Sequence, residues 1–264
     1  MTKLFAFTLD LEAEYGGVLD HNNLFRDPRA IIRLLDVLSS MDVKITMFVV
    51  GNLFESHPDI IKIFESYDCE FEAHSYSHDL KTADSEEEIE KAKLAYFNYF
   101  RKNPRGYRAP QGRISDSGIR LLEKHGYLYD SSVFPSYFPN PFRYLLKKRH
   151  PHYPRGSHML EIPITSISPL RLTLSVSYLK LFGISFYIKL SELFGLPEVI
   201  CFESHLHDFL VHDDSYTRLP FFWKVIYRRN KFMGIEYTTN FLRYIRDQGY
   251  RFCFMSDIYH RYQK

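Results

Sequence analysis

The sequence has no surplus of either charge: 34 Lys and Arg stand against 32 Asp and Glu, for a formal net charge of +2. No basic stripe calls for a nucleic-acid partner, and that class of function is set aside. Cysteine is scarce too. Cys69, Cys201 and Cys253 are odd in number, far apart, and lie in or beside apolar runs that read as strands. They are expected as buried free thiols in a reducing compartment rather than as a disulfide framework. No stretch of about eighteen residues is free of charge, which leaves no candidate for a membrane-spanning helix. The run from Met1 to Asp10 meets an acidic residue before a signal-peptide hydrophobic region can develop, so the expectation is a soluble, cytoplasmic protein. Internal repeats, low-complexity tracts and linkers are also missing, and residues 1–264 read as a single domain.

What is present is a large apolar fraction, 45% of 264 residues, enough for a sizeable core. The 23 Phe and 20 Tyr suit an aromatic-packed core better than a sugar-stacking surface, although composition alone does not choose between them. Apolar runs alternate with helical patterns along the chain. Leu4–Leu9 reads as a strand that ends in Asp10-Leu11-Glu12-Ala13-Glu14 and a glycine turn. Asp27-Pro28 opens a helix whose Ile31, Ile32, Leu35 and Leu38 are spaced for one buried face.

Val43–Val50 reads as the second strand, a helix from Pro58 follows, and Cys69–Glu72 is a short third strand. Ser85-Glu86-Glu87-Glu88 is a capping box opening a helix to about Lys102, its acidic start read as solvated. Gly106–Arg108, Gly126–Tyr129 and Leu160–Ile164 read as further strands, with a Ser115-capped helix to His125 between the first two. A helical region spans Val176–Phe194, Glu198–Ser204 is another strand, and a helix Glu236–Gln248 precedes a last strand Arg251–Met255. Residues 135–159, rich in Pro, aromatics and basic groups, read as an irregular insertion. Arg155–Met159 within it is treated as native loop. Such alternation implies a distorted, closed or nearly closed (β/α) barrel of about seven parallel strands.

The chemistry centres on Glu72-Ala73-His74-Ser75-Tyr76-Ser77-His78. Two imidazoles four positions apart meet on one helical face or across a tight loop, a spacing that suits a zinc-type metal. Alone, the pair fits two solvated histidines equally well. In a parallel barrel, however, the C-terminal strand ends open on one mouth, so Asp10, Glu12, His74, His78, Arg108, Asp130 and His205 converge there. Two histidines and one carboxylate make the ligand count of a hydrolytic metal site. Asp10 and Glu12, two apart on an extended segment, share a side, so one can ligate while the other acts as base. Singly, Arg108 reads equally as a surface ion pair, Asp130 as a turn cap and Glu161 as a rim salt bridge. His150, His152 and His158 read as loop surface.

Five segments, Thr8-Leu9-Asp10-Leu11-Glu12, His74–His78, Arg108-Ala109-Pro110-Gln111-Gly112, Tyr129-Asp130-Ser131-Ser132 and the strand-borne His205, resemble in order and spacing the successive motifs of the polysaccharide deacetylase family of carbohydrate esterases. The resemblance runs from Leu4 to about Phe209. It implies a metal-dependent hydrolase, usually with zinc, that removes N-acetyl groups from amino sugars. By position, Asp10 is then the catalytic base, His74 and His78 are metal ligands, and Arg108 orients Asp10. His205, preferred over His207, is the acid that protonates the leaving amine, and Asp208 resembles the acidic residue that trails this histidine in related forms. The backbone at Gln111-Gly112 is the candidate oxyanion donor, and Gln111 and Asp130 are candidate substrate contacts.

The sequence departs from the common family form at the metal carboxylate. Leu11 stands where adjacent aspartates are usual, so Glu12 is the expected third ligand and Glu14 the second choice. Two other readings stand beside the deacetylase: a non-catalytic carbohydrate-binding relative, and an amidase acting on a non-sugar amide. The substrate class, whether polymer, oligosaccharide, nucleotide sugar or lipid-linked sugar, is open. Membrane contact through the aromatic and basic stretch Phe221–Arg229 is the lesser reading beside a helix core with a basic end, and oligomeric state is not readable.

Overall fold

A computed structural model describes residues 2–13, 23–136, 147–210, 221, 224 and 228–263. Ten strands are numbered in chain order: β1 (Lys3–Leu11), β2 (Ile45–Val49), β3 (Cys69–Ala73), β4 (Gly106–Tyr107), β5 (Tyr129–Asp130), β6 (Leu160–Glu161), β7 (Ser166–Ile167), β8 (Leu172–Thr173), β9 (Val199–His205) and β10 (Tyr250–Phe252). The helices are α1 (Pro28–Ser39), α2 (Leu53–Ser56), α3 (Pro58–Glu65), α4 (Glu86–Phe100), α5 (Asp116–Lys124), α6 (Val176–Phe182), α7 (Ile184–Phe194), α8 (Gly234–Asp247) and α9 (Met255–Tyr262).

Seven parallel strands curl into a half-barrel in the order β9-β1-β2-β3-β4-β5-β6, and β10 pairs with the first residues of β1 beside β2. This is the distorted (β/α) barrel expected. Beyond β6 the chain reaches toward the opposite edge, where Thr165 N–H donates to the Cys201 carbonyl at 3.0 Å and Cys201 N–H donates to Thr165 Oγ1 at 2.9 Å. The β7–β8 hairpin that follows is antiparallel and was not foreseen.

The alternation of β1 decides what faces where, because successive side chains of a strand point to opposite faces. Phe5, Phe7, Leu9 and Leu11 join the core beneath the helices, with Ile45, Met47, Val49, Ile200 and Phe202. Leu4 and Ala6 face the barrel interior with Phe48, Ile162, Val199 and Cys201. Thr8 and Asp10 continue that interior face upward, so Asp10 comes to stand at the mouth, opposite His205 in the β1–β9 register.

Local signals explain the helices. Asp27 caps α1 by accepting from the N–H groups of Arg29 (3.1 Å) and Ala30 (3.2 Å), with Pro28 in the first turn where its missing N–H costs nothing. The buried face of α1 is Ile31, Leu34, Leu35 and Leu38, a true three-and-four spacing, whereas Ile32 points out. The helical region expected over Val176–Phe194 is two helices, because Gly183 takes φ +87°, a backbone that side-chain-bearing residues rarely adopt.

The strand expected at Gly126–Tyr129 forms instead over Tyr129–Asp130, and the one expected to end at Met255 stops at Phe252, where Asp257 caps the new helix α9 through Phe254 N–H. Cys201 and Cys253 are buried free thiols as expected, but Cys69 is half-buried. The centre of the expected insertion, residues 137–146, lies outside the described residues, as do Glu14 and much of the Phe221–Arg229 stretch. No helix among the described residues is long and apolar enough to cross a membrane.

Candidate active site

The two histidines leave β3 on a tight loop rather than a helix. Ser75 (φ +55°) and His78 (φ +62°) both sit in the left-handed region, a strain of about 1–3 kcal/mol per residue that surrounding contacts must hold. The holder is Glu88 of α4. Its carboxylate accepts from Tyr76 N–H (3.0 Å), Ser77 N–H (2.8 Å) and Ser77 Oγ (2.8 Å). The expectation that the acidic start of α4 is merely solvated is therefore corrected: Ser85 does cap Glu88 N–H, but the Glu88 side chain is buried and clamps the histidine loop.

Glu12, His74 and His78 each bring a ligand-type atom within 4.8 Å of the other two. Glu12 Oε2 is buried and lies 2.9 Å from His78 Nε2, yet makes no hydrogen bond of acceptable angle. An orphaned carboxylate oxygen facing two imidazole nitrogens is the donor set of a divalent cation, so the residues fit the group that the resemblance implies. His74 Nδ1 lies 2.7 Å from the Arg108 carbonyl, which fixes that nitrogen as the protonated one and turns the Nε2 lone pair toward the site. Burial pushes His74 down to about 4, so its ring is neutral near pH 7. Burial alone would raise the Glu12 carboxyl, but the His78, His205 and His207 rings outweigh it and bring it down to about 2.

Asp10 and Arg108 form the second half. Arg108 Nη1 donates to Asp10 Oδ1 at 2.6 Å and to Thr8 Oγ1 at 2.9 Å. Its other nitrogens reach the Ser131 carbonyl (3.0 Å) and Ser131 Oγ (3.0 Å), and the guanidinium lies 4.1 Å from the centre of the Phe48 ring. A fully buried arginine is thus satisfied on every side and locked in place. Asp10 Oδ2 is turned toward His74 Nε2 (4.0 Å) and His205 Nε2 (3.7 Å).

His205 ends β9 on the interior face, with Glu203 two residues below it; their Nε2 and Oε1 are 3.9 Å apart. Asp208 Oδ2 accepts from His205 N–H at 3.0 Å and lies 3.8 Å from its Nδ1. Ser177 Oγ donates to Asp208 Oδ1 at 2.6 Å, and Lys180 Nζ donates to the Asp208 carbonyl at 3.1 Å. Burial disfavours the His205 cation, but Asp208, then Glu203, Asp10 and Glu12, outweigh it and push this histidine up to about 10. His207 stacks on His205 with ring centroids 4.7 Å apart and is pushed down to about 3 by burial. Surrounding charge thus favours a proton on His205, which faces Asp10, and burial disfavours one on His207, stacked behind it.

Two sequence candidates sit differently. Asp130 is fully buried, accepting from Ser132 Oγ at 2.6 Å, and Ser132 Oγ in turn accepts from Ala109 N–H at 2.8 Å. It braces the Arg108–Ala109 segment and offers no surface to a ligand. Gln111 is exposed at the rim with φ +50°, next to Gly112, where a Cβ would collide with the Ser132 carbonyl. Sequence reasoning missed Glu88 and Glu203. The parity of β9 was the available signal for Glu203, because it shares a face with His205.

These features define a candidate site at the barrel mouth with a cation-type donor set. Residues 24–129 match the family model described as polysaccharide deacetylase. A peptidoglycan deacetylase of Helicobacter pylori is 30% identical over 149 residues, 51% of this chain and 51% of that protein. The fold is shared with the Puue allantoinase (TM-score 0.63, 16% identity, 98% of this chain and 90% of that one). It is also shared with a CE4 family pseudoenzyme from Bacillus anthracis (TM-score 0.56, 13% identity, 98% of this chain and 66% of that one). The matches span between 32% and 51% of the length of the curated relatives. Over residues 24–129 the chain is thus similar to the polysaccharide deacetylase family.

Proposed function

We propose that the chain is a metal-dependent hydrolase that removes the N-acetyl group from an amino sugar in a glycan or glycan precursor. The observation that carries this reading is the convergence of Glu12, His74 and His78 beside an Asp10 that is held by Arg108 and faces His205. Glu12, His74 and His78 would hold one divalent cation, with zinc the best match to a site of two imidazoles and one carboxylate. A cation there would supply Lewis-acid activation of water near neutral pH.

Asp10 accepts the proton of the attacking water through Oδ2, the oxygen that Arg108 leaves available. His205 gives its proton to the departing amine, and Asp208 keeps the ring oriented for the transfer. The backbone at Gln111-Gly112 is the proposed donor to the developing oxyanion. The name of the Helicobacter pylori relative supports an N-acetylated glycan as the substrate class.

Acetate release from N-acetylated polymers, oligosaccharides, nucleotide sugars and lipid-linked sugars, with zinc supplied, tests the reading. Release from one of these classes that disappears in Asp10→Asn supports it, and undiminished release by a His74→Ala/His78→Ala double variant overturns it. One alternative is a carbohydrate-binding protein without catalysis; the Bacillus anthracis neighbour of the same fold is a pseudoenzyme. Tight glycan binding with no acetate released from any class would select that alternative.

A further inference from the structure

The helices α6 and α7 present to solvent what a surface helix normally hides. On α7 the buried face is Tyr187, Leu190 and Ser191, while Phe186, Lys189 and Leu193, at three-and-four spacing, share the outer face. Leu193 is 73% exposed, and Phe182, at the end of α6, extends the stripe through a ring contact with Phe186 at 5.5 Å. At one end, Asn230 Nδ2 donates to the Lys180 carbonyl at 2.8 Å, which brings Lys231 and the exposed Phe232 beside α6.

At the other end, a groove of about 640 Å³ lined by Phe194, Pro169 and Arg149 joins α7 to the β7–β8 turn, where Leu170 is 54% exposed. The segment Lys147-Lys148-Arg149 is tied to that turn by Arg149 Nη1 to the Ser168 carbonyl (2.9 Å) and by Arg171 Nη1 to the Lys147 carbonyl (3.2 Å). All three of its cationic residues are exposed.

Single exposed hydrophobic residues need no explanation, but a continuous aromatic and aliphatic band edged with cations does. Glu192 is the one acidic residue on α7. We propose that this flank is a peripheral docking surface for a bilayer that contains anionic lipids. The apolar side chains enter the headgroup boundary, and Lys147, Lys148, Arg149, Lys189 and Lys231 meet the lipid phosphates. A second copy of the chain is a poor occupant, since a two-fold interface would bring two sets of these cations together with only Glu192 on α7 to offset them. The inference is independent of the reaction at the barrel mouth.

Co-sedimentation of the purified chain with phosphatidylcholine vesicles, and with vesicles that also contain phosphatidylglycerol, tests it. The chain should pellet with the anionic vesicles, remain in solution with the neutral ones, and be released by salt. Lys147→Gln/Lys148→Gln should weaken binding about 25-fold, at about fivefold per cation near the surface. Phe186→Ser/Leu193→Ser should lower the bound fraction at least as strongly while leaving the thermal unfolding curve in place. Equal pelleting with both vesicle types, no pelleting with either, or wild-type binding by the serine variant would overturn the proposal. Self-association without vesicle binding would assign the flank to an interface between copies and would overturn it equally.

Discussion

Two buried carboxyl groups at strand ends, Glu12 and Glu161, occupy opposite electrostatic worlds. Both are almost wholly removed from solvent, and burial alone pushes each toward the neutral form. Glu12 is surrounded by histidines and comes down to about 2. Glu161 meets Asp130, with Val133 N–H donating to its Oε1 at 3.2 Å, and is held well above the ordinary carboxylate range by burial and that neighbouring acid. Partners, not depth, decide which carboxyl is pushed toward the charged form and which toward the neutral one.

The sharpest way to break the contrast is at the reactive end. Asp10→Asn removes the base while keeping its size, and acetate release should fall by about 10²–10⁴-fold with overall structure preserved. Next, Glu12→Gln should weaken zinc binding in isothermal titration by more than about 100-fold, beyond the usual cost of losing an outer-shell partner. A zinc affinity equal to wild type would remove Glu12 from the donor set.

On the structural side, Ser132→Ala strips a donor from Asp130 and an acceptor from Ala109 N–H. Urea unfolding should show a loss of about 1–3 kcal/mol, the cost of unsatisfied buried groups. Glu161→Gln should act through pH rather than at a single condition. A carboxyl whose folded pKa is raised contributes stability that is complete below its unfolded value near 4.5 and is lost as pH rises toward the folded value. Wild-type stability should therefore decline as pH rises above about 4.5 by this contribution, and the glutamine variant should show a flatter profile. Identical profiles for wild type and variant would mean that Glu161 is ionised in the folded protein.

Much of this arrangement was readable in the chain. The strands β1, β2, β3 and β9 announced themselves by apolar runs that end in polar residues, and the caps at Asp27, Ser85 and Ser115 placed three helices within a residue or two. Where reading failed, a tertiary contact overrode a local rule. The sequence pattern assigned Glu88 to its own helix terminus, yet its carboxylate is spent on a loop twelve residues upstream. Asp130 carries a family-like motif but faces inward, because two-residue β5 aligns it with Glu161 across the sheet. Nothing in either residue's neighbours in sequence encodes such a choice.

Arg108 serves both halves of the site by different atoms: its guanidinium grips Asp10, and its main-chain carbonyl grips His74. A side-chain replacement can erase only the first grip, since every residue type brings the same carbonyl. If the chain is the metal-dependent hydrolase proposed, loss of turnover and loss of metal would be separable by inheritance. A lineage that drifted at this codon would lose the grip on Asp10 and keep the carbonyl that anchors His74.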